Sequence, residues 1–556
     1  MTQATDRVWL KEYQPGVPHD IDLSAYASVA EVLEQSCARF GEKPAFENMG
    51  FALTYDDIDR LSQDFASYLQ NVVGLDKGDR VAMMMPNILQ YPVAIFGVLR
   101  AGMVVVNVNP LYTARELEHQ LSDSGARAIV ILENVCATLQ AALPRTRVET
   151  VITTQLGDLF PFPKSLLVNT VTKRIKKMVP AWSIPGAVPF RTALARGRAQ
   201  PYSRVTLTHS DVAFLQYTGG TTGVSKGATL SHGNIVANLT QMRSWCPVLQ
   251  DGEETIITAL PLYHIFALTV NCLLFLSIGS RNILITNPRD MAGFIKELSR
   301  TRFTAFTGVN TLFNGLLHTP GFETIDFSPL KFVLGGGAAV QKAVAEKWRQ
   351  VTGKSLTEGW GLSETSPGAT FGPLNKPDWN GTIGLPIPST VVSVRDDDNN
   401  EVPVGQSGEL CIKGPQVMQG YWEKPEENKK AFTEDGYFKT GDIGIMDEKG
   451  YFRIVDRKKD MILVSGFNVF PNEIEAVVAQ CPGVLECACI GVPDEKSGEA
   501  VKVFIVKKDP ALTAEQVQSF CKRDLTGYKV PRHVSFIEAL PKSNVGKILR
   551  KELRGK

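Results

Sequence analysis

The first 130 residues alternate segments of helical periodicity with short apolar segments. Apolar positions recur every three or four residues in 29–40, after a Ser28-x-x-Glu31 capping box, and again in 54–69. Helices are also predicted to end near 100 and 122. Between them lie three apolar segments that predict strands, at 81–85, 104–108 and 128–132. This β-α alternation predicts a parallel sheet covered by helices.

The same alternation returns between residues 290 and 351. Helices are predicted at 290–300, 310–318 and 339–351, with strands at 303–306 and 332–334 between them. An apolar segment at 265–279 is shorter than the ~20 residues of a membrane span, and it predicts a buried helix or strand pair. The expected fold class is therefore α/β, with two doubly wound sheets in a large N-terminal domain.

The pattern changes after residue 380. Short strands and turn-forming residues in 381–450 predict a small barrel-like β subdomain within a large domain of 1–455. The charged residues 456–460 predict a linker or hinge. Residues 461–556 predict a small mobile α+β domain, with helices beginning at Pro471 and at Thr513-x-x-Gln516 and strands at 484–491 and 500–507.

Composition narrows the class of protein. The 556 residues include 59 Lys and Arg and 58 Asp and Glu, a formal charge of +1, so no global field favours nucleic acid. The nine cysteines form no C-x-x-C pair and their number is odd, which argues against a disulfide framework or a zinc site. The N-terminus lacks the apolar core of a signal peptide. A cytoplasmic protein is expected.

The strongest chemical signal is a Gly- and Thr-rich segment directly after a predicted strand at 212–215. Glycines allow close backbone approach to an anion, hydroxyls donate hydrogen bonds and a lysine adds positive charge, so the segment predicts a polyphosphate loop. It is not a Walker A sequence, and the alternative is a flexible linker. Its residues are Tyr217, Thr218, Gly219, Gly220, Thr221, Thr222, Gly223, Val224, Ser225, Lys226 and Gly227.

This segment resembles the phosphate loop of the adenylate-forming, or AMP-binding, superfamily, which includes acyl-CoA synthetases. A second segment, EGWGLSE at 358–364, is similar to the family's aromatic-Gly-x-Thr-Glu element. The resemblance implies that Trp360 and Gly361 lie against adenine, that Ser363 contacts the α-phosphate and that Glu364 holds Mg²⁺. Trp360 and Ser363 replace the Tyr and Thr that are usual in the family.

Further segments carry the resemblance. Asp442, in a Thr-Gly-Asp element, is expected to accept hydrogen bonds from the ribose, and Arg457 to reach the ribose or a phosphate. Lys459 matches the family's hinge position. Lys547, on a glycine-flanked C-terminal loop, is expected to bring carboxylate and phosphate together. Ser465 and Gly466 would line the path of CoA.

Two more positions are assigned by resemblance to the acyl and adenine sites. His264 follows Pro-Leu-Tyr and precedes the apolar segment, and we expect it to position the substrate rather than to act as a base. A lone histidine beside apolar residues is more often a core residue. Gly336, in a Gly-Gly-Gly-Ala-Ala segment, matches the turn that flanks adenine.

Segments outside the nucleotide site resemble bacterial long-chain fatty acid–CoA ligases. They include ITNPRD at 285–290 and TGVNTLFN at 307–314. The predicted activity is ATP-dependent, Mg²⁺-requiring formation of acyl-CoA through acyl-AMP, with release of AMP and pyrophosphate. The alternatives are adenylation of aryl, short-chain or amino acids, and a lipid-binding protein that has lost its chemistry.

A basic amphipathic segment at 160–180 indicates where in the cell the protein could act. Leu166, Leu167, Val171, Ile175 and Met178 recur at roughly helical spacing among five basic residues. The segment predicts either peripheral contact with an anionic membrane, on the cytoplasmic face of the inner membrane, or a helix packed on its own domain. The oligomeric state is open, a homodimer being one option.

Overall fold

The computed structural model describes residues 7–218, 225–376, 378–465, 467–494, 497–543 and 546–554. Of the predicted site residues, Gly219, Gly220, Thr221, Thr222, Gly223, Val224 and Gly466 therefore lie outside the described residues.

The elements up to residue 198 are helices that alternate with short strands. The helices are α1 (Val29–Phe40), α2 (Tyr55–Ser67), α3 (Gln90–Arg100), α4 (Ala114–Ser124), α5 (Cys136–Ala142), α6 (Lys164–Thr170) and α7 (Phe190–Arg198). The strands are β1 (Pro44–Asn48), β2 (Phe51–Thr54), β3 (Arg80–Met84), β4 (Val104–Asn107), β5 (Ala128–Leu132), β6 (Thr150–Thr154) and β7 (Val188–Pro189).

The elements between residues 212 and 386 continue this alternation. The strands are β8 (Val212–Thr218), β9 (Lys226–Ser231), β10 (Thr255–Thr258), β11 (Arg281–Leu284), β12 (Ala305–Gly308), β13 (Phe332–Gly335), β14 (Thr357–Gly361), β15 (Gly368–Phe371) and β16 (Leu385–Pro386). The helices are α8 (His232–Trp245), α9 (Phe275–Ser277), α10 (Met291–Arg300), α11 (Asn310–Leu317) and α12 (Lys342–Thr352).

The remaining elements are mostly strands. They are β17 (Val391–Arg395), β18 (Ser407–Lys413), β19 (Gly420–Tyr421), β20 (Phe438–Met446), β21 (Phe452–Arg457), β22 (Ile462–Val464), β23 (Phe467–Val469), β24 (Val484–Asp494), β25 (Gly498–Lys507) and β26 (His533–Phe536). The helices are α13 (Pro425–Ala431), α14 (Pro471–Val478), α15 (Ala514–Asp524) and α16 (Arg550–Leu553).

Four sheets organise these strands. An eight-stranded sheet has the order β19-β9-β8-β4-β3-β5-β6-β7, and a nine-stranded sheet has the order β16-β15-β14-β13-β12-β10-β11-β1-β2. Their central strands are parallel. An antiparallel sheet, β17-β18-β20-β21, and a small C-terminal sheet built on β24 and β25 complete the fold. The predicted α/β class, with two large sheets and a smaller C-terminal unit, is confirmed.

Local details differ from the predictions in three places. Ser28 accepts the Glu31 N–H, but the Glu31 carboxylate accepts from Ala27 rather than Ser28, so the capping box is only half formed. Strand β12 begins at Ala305, since Phe303 packs between the rings of Phe306 and Phe327 before the paired residues begin. The apolar segment is a buried helix, the first of the two predicted options, but Ala267–Leu274 forms a π-helix rather than an α-helix.

Close helix packing beside the eight-stranded sheet depends on small residues. Helix α7 crosses α2 at Gly197, where a Cβ atom would lie 1.8 Å from the Asp64 carbonyl oxygen. Since that neighbour is backbone, it cannot rotate away. None of the described helices is long and apolar enough to cross a membrane.

Replacing Gly197 by alanine should therefore destabilise the α2–α7 contact by about 3 kcal/mol, because the added methyl group forces the two helices apart. A lower midpoint in thermal unfolding would show it. Gly527→Ala is the control, since nothing lies within 4 Å of the Cβ position there. Equal midpoints for the two variants would contradict the packing argument.

Candidate active site

The described residues on either side of the predicted phosphate loop belong to an antiparallel hairpin of β8 and β9. We call Tyr217, Thr218, Ser225, Lys226 and Gly227 the hairpin tip. Thr218 at the end of β8 pairs with Lys226 at the start of β9. The Tyr217 hydroxyl donates to Asp123 Oδ2 at 2.8 Å. The Tyr217 ring packs closely on Gly227, where a Cβ atom would lie 3.0 Å from it. The sequence-predicted Tyr217, Thr218, Ser225, Lys226 and Gly227 therefore lie together.

Lys226 is held by residues that the sequence analysis missed. Its ammonium group forms an ion pair with Glu427 and lies 5.1 Å from the centre of the Tyr421 ring. Tyr421 belongs to β19, which pairs with β9. The two segments lie almost 200 residues apart in the sequence, so no local pattern could have connected them.

Trp360, Asp442 and Arg457 form one hydrogen-bonded group. The Trp360 indole Nε1–H donates to Asp442 Oδ2 at 2.9 Å, and Arg457 Nε lies 2.8 Å from Asp442 Oδ1. Asp442 is buried. Both oxygens of the carboxylate that is predicted to bind ribose are thus held by residues that are also predicted to contact the nucleotide.

Glu364 lies next to this group in a buried position. One of its carboxylate oxygens accepts the Tyr421 hydroxyl at 2.9 Å. Burial raises the pKa of Glu364, and the Tyr421 hydrogen bond opposes that rise. Ser363 begins the short 3-10 helix that carries Glu364. Gly361 must be glycine, since a Cβ atom would lie 1.7 Å from the Pro367 carbonyl oxygen.

A magnesium ion fits Glu364 only with help from a substrate. Among the described residues, no group of three or more His, Cys, Asp and Glu side chains could hold a metal. Mg²⁺ commonly binds one or two protein carboxylates together with phosphate oxygens and water. A single hard oxygen donor beside a phosphate loop is consistent with that arrangement.

Lys547 reaches the same region from the C-terminal unit. The Thr311 hydroxyl donates to the Gly546 carbonyl oxygen at 3.0 Å, and Lys547 Cε lies 3.4 Å from the Cβ position of Gly337. Burial lowers the pKa of Lys547 to about 8; the Arg457 guanidinium adds to the decrease, and the carboxylates of Asp442 and Glu364 oppose it.

His264 and Gly336 both lie close to Phe266. Burial lowers the pKa of His264 to about 3, and the Lys547 charge adds to the decrease, so the imidazole is neutral near pH 7. Its Nδ1 accepts the Phe266 N–H at 3.3 Å. A Cβ atom on Gly336 would approach Phe266 at 3.1 Å and the Gly359 carbonyl oxygen at 3.2 Å.

Glu358, the first residue of the EGWGLSE segment, is a buried acid to which the sequence assigned no role. Its carboxylate accepts the Val340 N–H at 3.0 Å, across the segment that contains Gly336 and Gly337. Burial raises its pKa to about 7, and the Val340 hydrogen bond opposes the rise.

The predicted hinge lies beside an ionic network. The Asp456 carboxylate accepts the Asn472 N–H at 2.8 Å and lies 3.5 Å from Arg550 NH1. Arg550 also pairs with Glu475 at 2.8 Å. Lys459 follows, its pKa lowered by burial and by the Arg457 charge. Ser465, expected on the CoA path, has φ of +51° at the turn between β22 and β23.

The buried, converging groups at the hairpin tip, β14, β20 and the C-terminal loop are typical of a nucleotide-dependent transferase or ligase. The AMP-binding enzyme family matches residues 33–422, and the AMP-binding enzyme C-terminal domain matches residues 473–547. The chain belongs to the AMP-binding enzyme family.

Full-length relatives agree with this assignment. A long-chain-fatty-acid–CoA ligase of Yersinia pestis is 58% identical, covering 99% of this chain and 98% of its own. A long-chain-fatty-acid–CoA ligase of Escherichia coli O6:H1 strain CFT073 is 57% identical with the same coverage. The crystal structure of ATP-bound MatB from Rhodopseudomonas palustris superposes with a TM-score of 0.81 at 28% identity, covering 95% of this chain and 98% of its own.

The lowered pKa of Lys547 predicts a pH dependence of adenylation. Above about pH 8 the ammonium loses its proton, so kcat/KM for pyrophosphate release should fall roughly tenfold per pH unit. Lys547→Arg, whose side chain stays charged, should be slower but should show no such fall up to pH 10. Identical profiles for the two proteins would rule out Lys547 as the titrating group.

Proposed function

We propose that the protein joins long-chain fatty acids to CoA in an ATP-dependent reaction through an acyl-AMP intermediate. The observation that carries the proposal is that the Lys547 loop contacts Thr311 and Gly337 and brings a buried ammonium into the region of Glu364, Asp442 and Arg457, whose charges act on its pKa. The full-length relatives named long-chain-fatty-acid–CoA ligase support the choice of acid.

In the first half-reaction, a carboxylate oxygen of the fatty acid attacks the α-phosphorus of ATP. The bond from that phosphorus to its bridging oxygen breaks, and pyrophosphate leaves with the electron pair. Lys547 offsets the charge of the two approaching anions, and Asp442 and Arg457 hold the ribose. A Mg²⁺ ion held by Glu364 and the phosphates would supply further charge neutralisation.

In the second half-reaction, the sulfur of CoA forms a bond to the acyl carbon, the bond from that carbon to the AMP oxygen breaks, and the thiol proton is released. We assign the large domain to residues 1–455, the hinge to 456–460 around Lys459, and the small domain to 461–556. Rotation at the hinge would withdraw Lys547 and bring Ser465 to the CoA path.

The substrate assignment is tested by measuring pyrophosphate release with carboxylic acids of two to eighteen carbons, benzoate and several amino acids. We expect the highest kcat/KM with long-chain acids. A preference for an aryl, short-chain or amino acid would contradict the assignment, and absence of release with every acid would favour a protein without catalytic function.

The two half-reactions can be separated by a pair of variants. Lys547→Ala should lose at least 100-fold in adenylation but convert presynthesised acyl-AMP and CoA to thioester at close to the wild-type rate. Lys459→Pro should do the opposite, because proline fixes φ near −65° where a hinge must rotate. Equal losses in both steps would contradict the assigned roles.

We further propose that the segment 160–180 binds the surface of an anionic membrane, from which a fatty acid is collected. Phe162 is 81% exposed, and four further apolar side chains are at least half exposed: Leu166, Leu167, Ile175 and Met178. These side chains do not pack on their own domain. Lys173 forms an ion pair with Glu133, while Arg174, Lys176 and Lys177 are exposed.

Replacing Leu166 and Leu167 by glutamine should weaken binding to phosphatidylglycerol vesicles about tenfold or more, since the apolar burial is lost. Vesicle sedimentation measures the binding. Leu485→Gln removes an exposed leucine of the C-terminal unit and should bind like the wild type. Unchanged binding by the double variant would remove this segment as the membrane contact.

A further inference from the structure

Helix α4 carries two polar side chains, His119 and Asp123, that the reaction scheme does not use. They are four residues apart, so they lie one above the other on the same face of the helix. The helix is well anchored at its start, because Thr113 and Glu116 form a complete capping box.

Each of the two side chains contacts the hairpin tip on a different strand, Asp123 at the end of β8 and His119 directly before β9. Asp123 accepts the Tyr217 hydroxyl at 2.8 Å, next to the end of β8. His119 Nε2 lies 2.9 Å from the Ser225 carbonyl oxygen, directly before β9. Since a carbonyl oxygen can only accept, the hydrogen is on Nε2, and the imidazole is the donor.

The tip needs this support because it extends beyond the neighbouring strand. The pairing of β4 with β8 ends at Asn107 and Gln216. On the other side, β19 pairs with β9 only at Ala228 and Thr229. The last hydrogen bond from that side is donated by the Trp422 N–H to the Gly227 carbonyl oxygen at 2.8 Å. Tyr217, Thr218, Ser225 and Lys226 therefore lie past the ends of the two neighbouring strand pairings.

A second contact fixes the same carboxylate. Lys424 lies 2.5 Å from Asp123 Oδ1, and it is followed by α13, which carries the Glu427 partner of Lys226. The hairpin tip is thus held between α4 on one side and the segment of Lys424 and Glu427 on the other.

We propose that His119 and Asp123 are positioning residues for ATP. By holding Tyr217 and Ser225 on one rigid helix, they fix the direction in which the hairpin tip presents Ser225 and Lys226 to the phosphates. This inference rests on the proposed role of the tip in binding ATP. Neither side chain is assigned a contact with the reacting atoms.

The test compares His119→Leu, which removes the donor, with His119→Gln, whose amide nitrogen can take the place of Nε2. We expect His119→Leu to raise the KM for ATP about five- to tenfold, the effect of one lost hydrogen bond, with a smaller change in kcat. His119→Gln should restore most of the affinity. The KM values for fatty acid and CoA, and thioester formation from presynthesised acyl-AMP, should not change.

Several outcomes would overturn the inference. An unchanged KM for ATP in His119→Leu would do so, as would an equal rise in KM for all three substrates, which is the result of a general structural defect. If His119→Leu does not fold, Tyr217→Phe, which removes only the hydroxyl that Asp123 accepts, carries the same expectation.

Calorimetry with a non-hydrolysable ATP analogue separates this inference from the proposed function. If the wild type forms no acyl-CoA, the proposed function fails. The inference fails instead if the wild type and His119→Leu bind the analogue equally tightly.

Discussion

The balance of charge around Lys547 is the constraint on which the rest of the site depends. Its ammonium shares a poorly hydrated region with the Arg457 guanidinium and the carboxylates of Asp442 and Glu364. Electrostatic interactions are stronger there than in water, and an unpaired charge is costly. The site therefore needs the segment after β14 and strand β20, which bring Glu364 and Asp442 together, and the C-terminal loop, which brings the lysine.

This dependence explains why several residues around the cleft have little freedom. Asp442 is held by Trp360 through one oxygen and by Arg457 through the other. The Trp360 indole N–H therefore supplies one of the two donors that hold the Asp442 carboxylate. Gly336 and Gly361 allow the backbone to approach the carbonyl oxygens of Gly359 and Pro367 closely.

Much of the fold could be predicted from the sequence because its elements are locally determined. The valine-rich strand β4 and the capped helices α2 and α15 follow from periodicity and end signals. The motif residues Trp360, Asp442 and Lys547 were found because each lies in a short, recognisable segment. Tyr421, Asp123 and Glu427 were missed because contacts distant in sequence bring them to the tip. Tyr421 arrives through the pairing of β19 with β9, and Asp123 and Glu427 arrive on helices α4 and α13. The sequence predicted that 265–279 is buried as a helix or a strand pair, but its mostly apolar residues show too little periodicity to separate the two or to indicate a π-helix.

Asp456 and Arg457 are adjacent on β21, yet their side chains serve different parts of the molecule, because neighbouring residues on a strand point to opposite faces. Asp456 is bonded to Asn472 and Arg550 of the C-terminal unit, and Arg457 to Asp442 in the nucleotide site. A single peptide unit therefore links the two. The rotation proposed for the small unit would therefore act through this strand on Asp442, which couples the proposed binding of ribose to the orientation of the small unit.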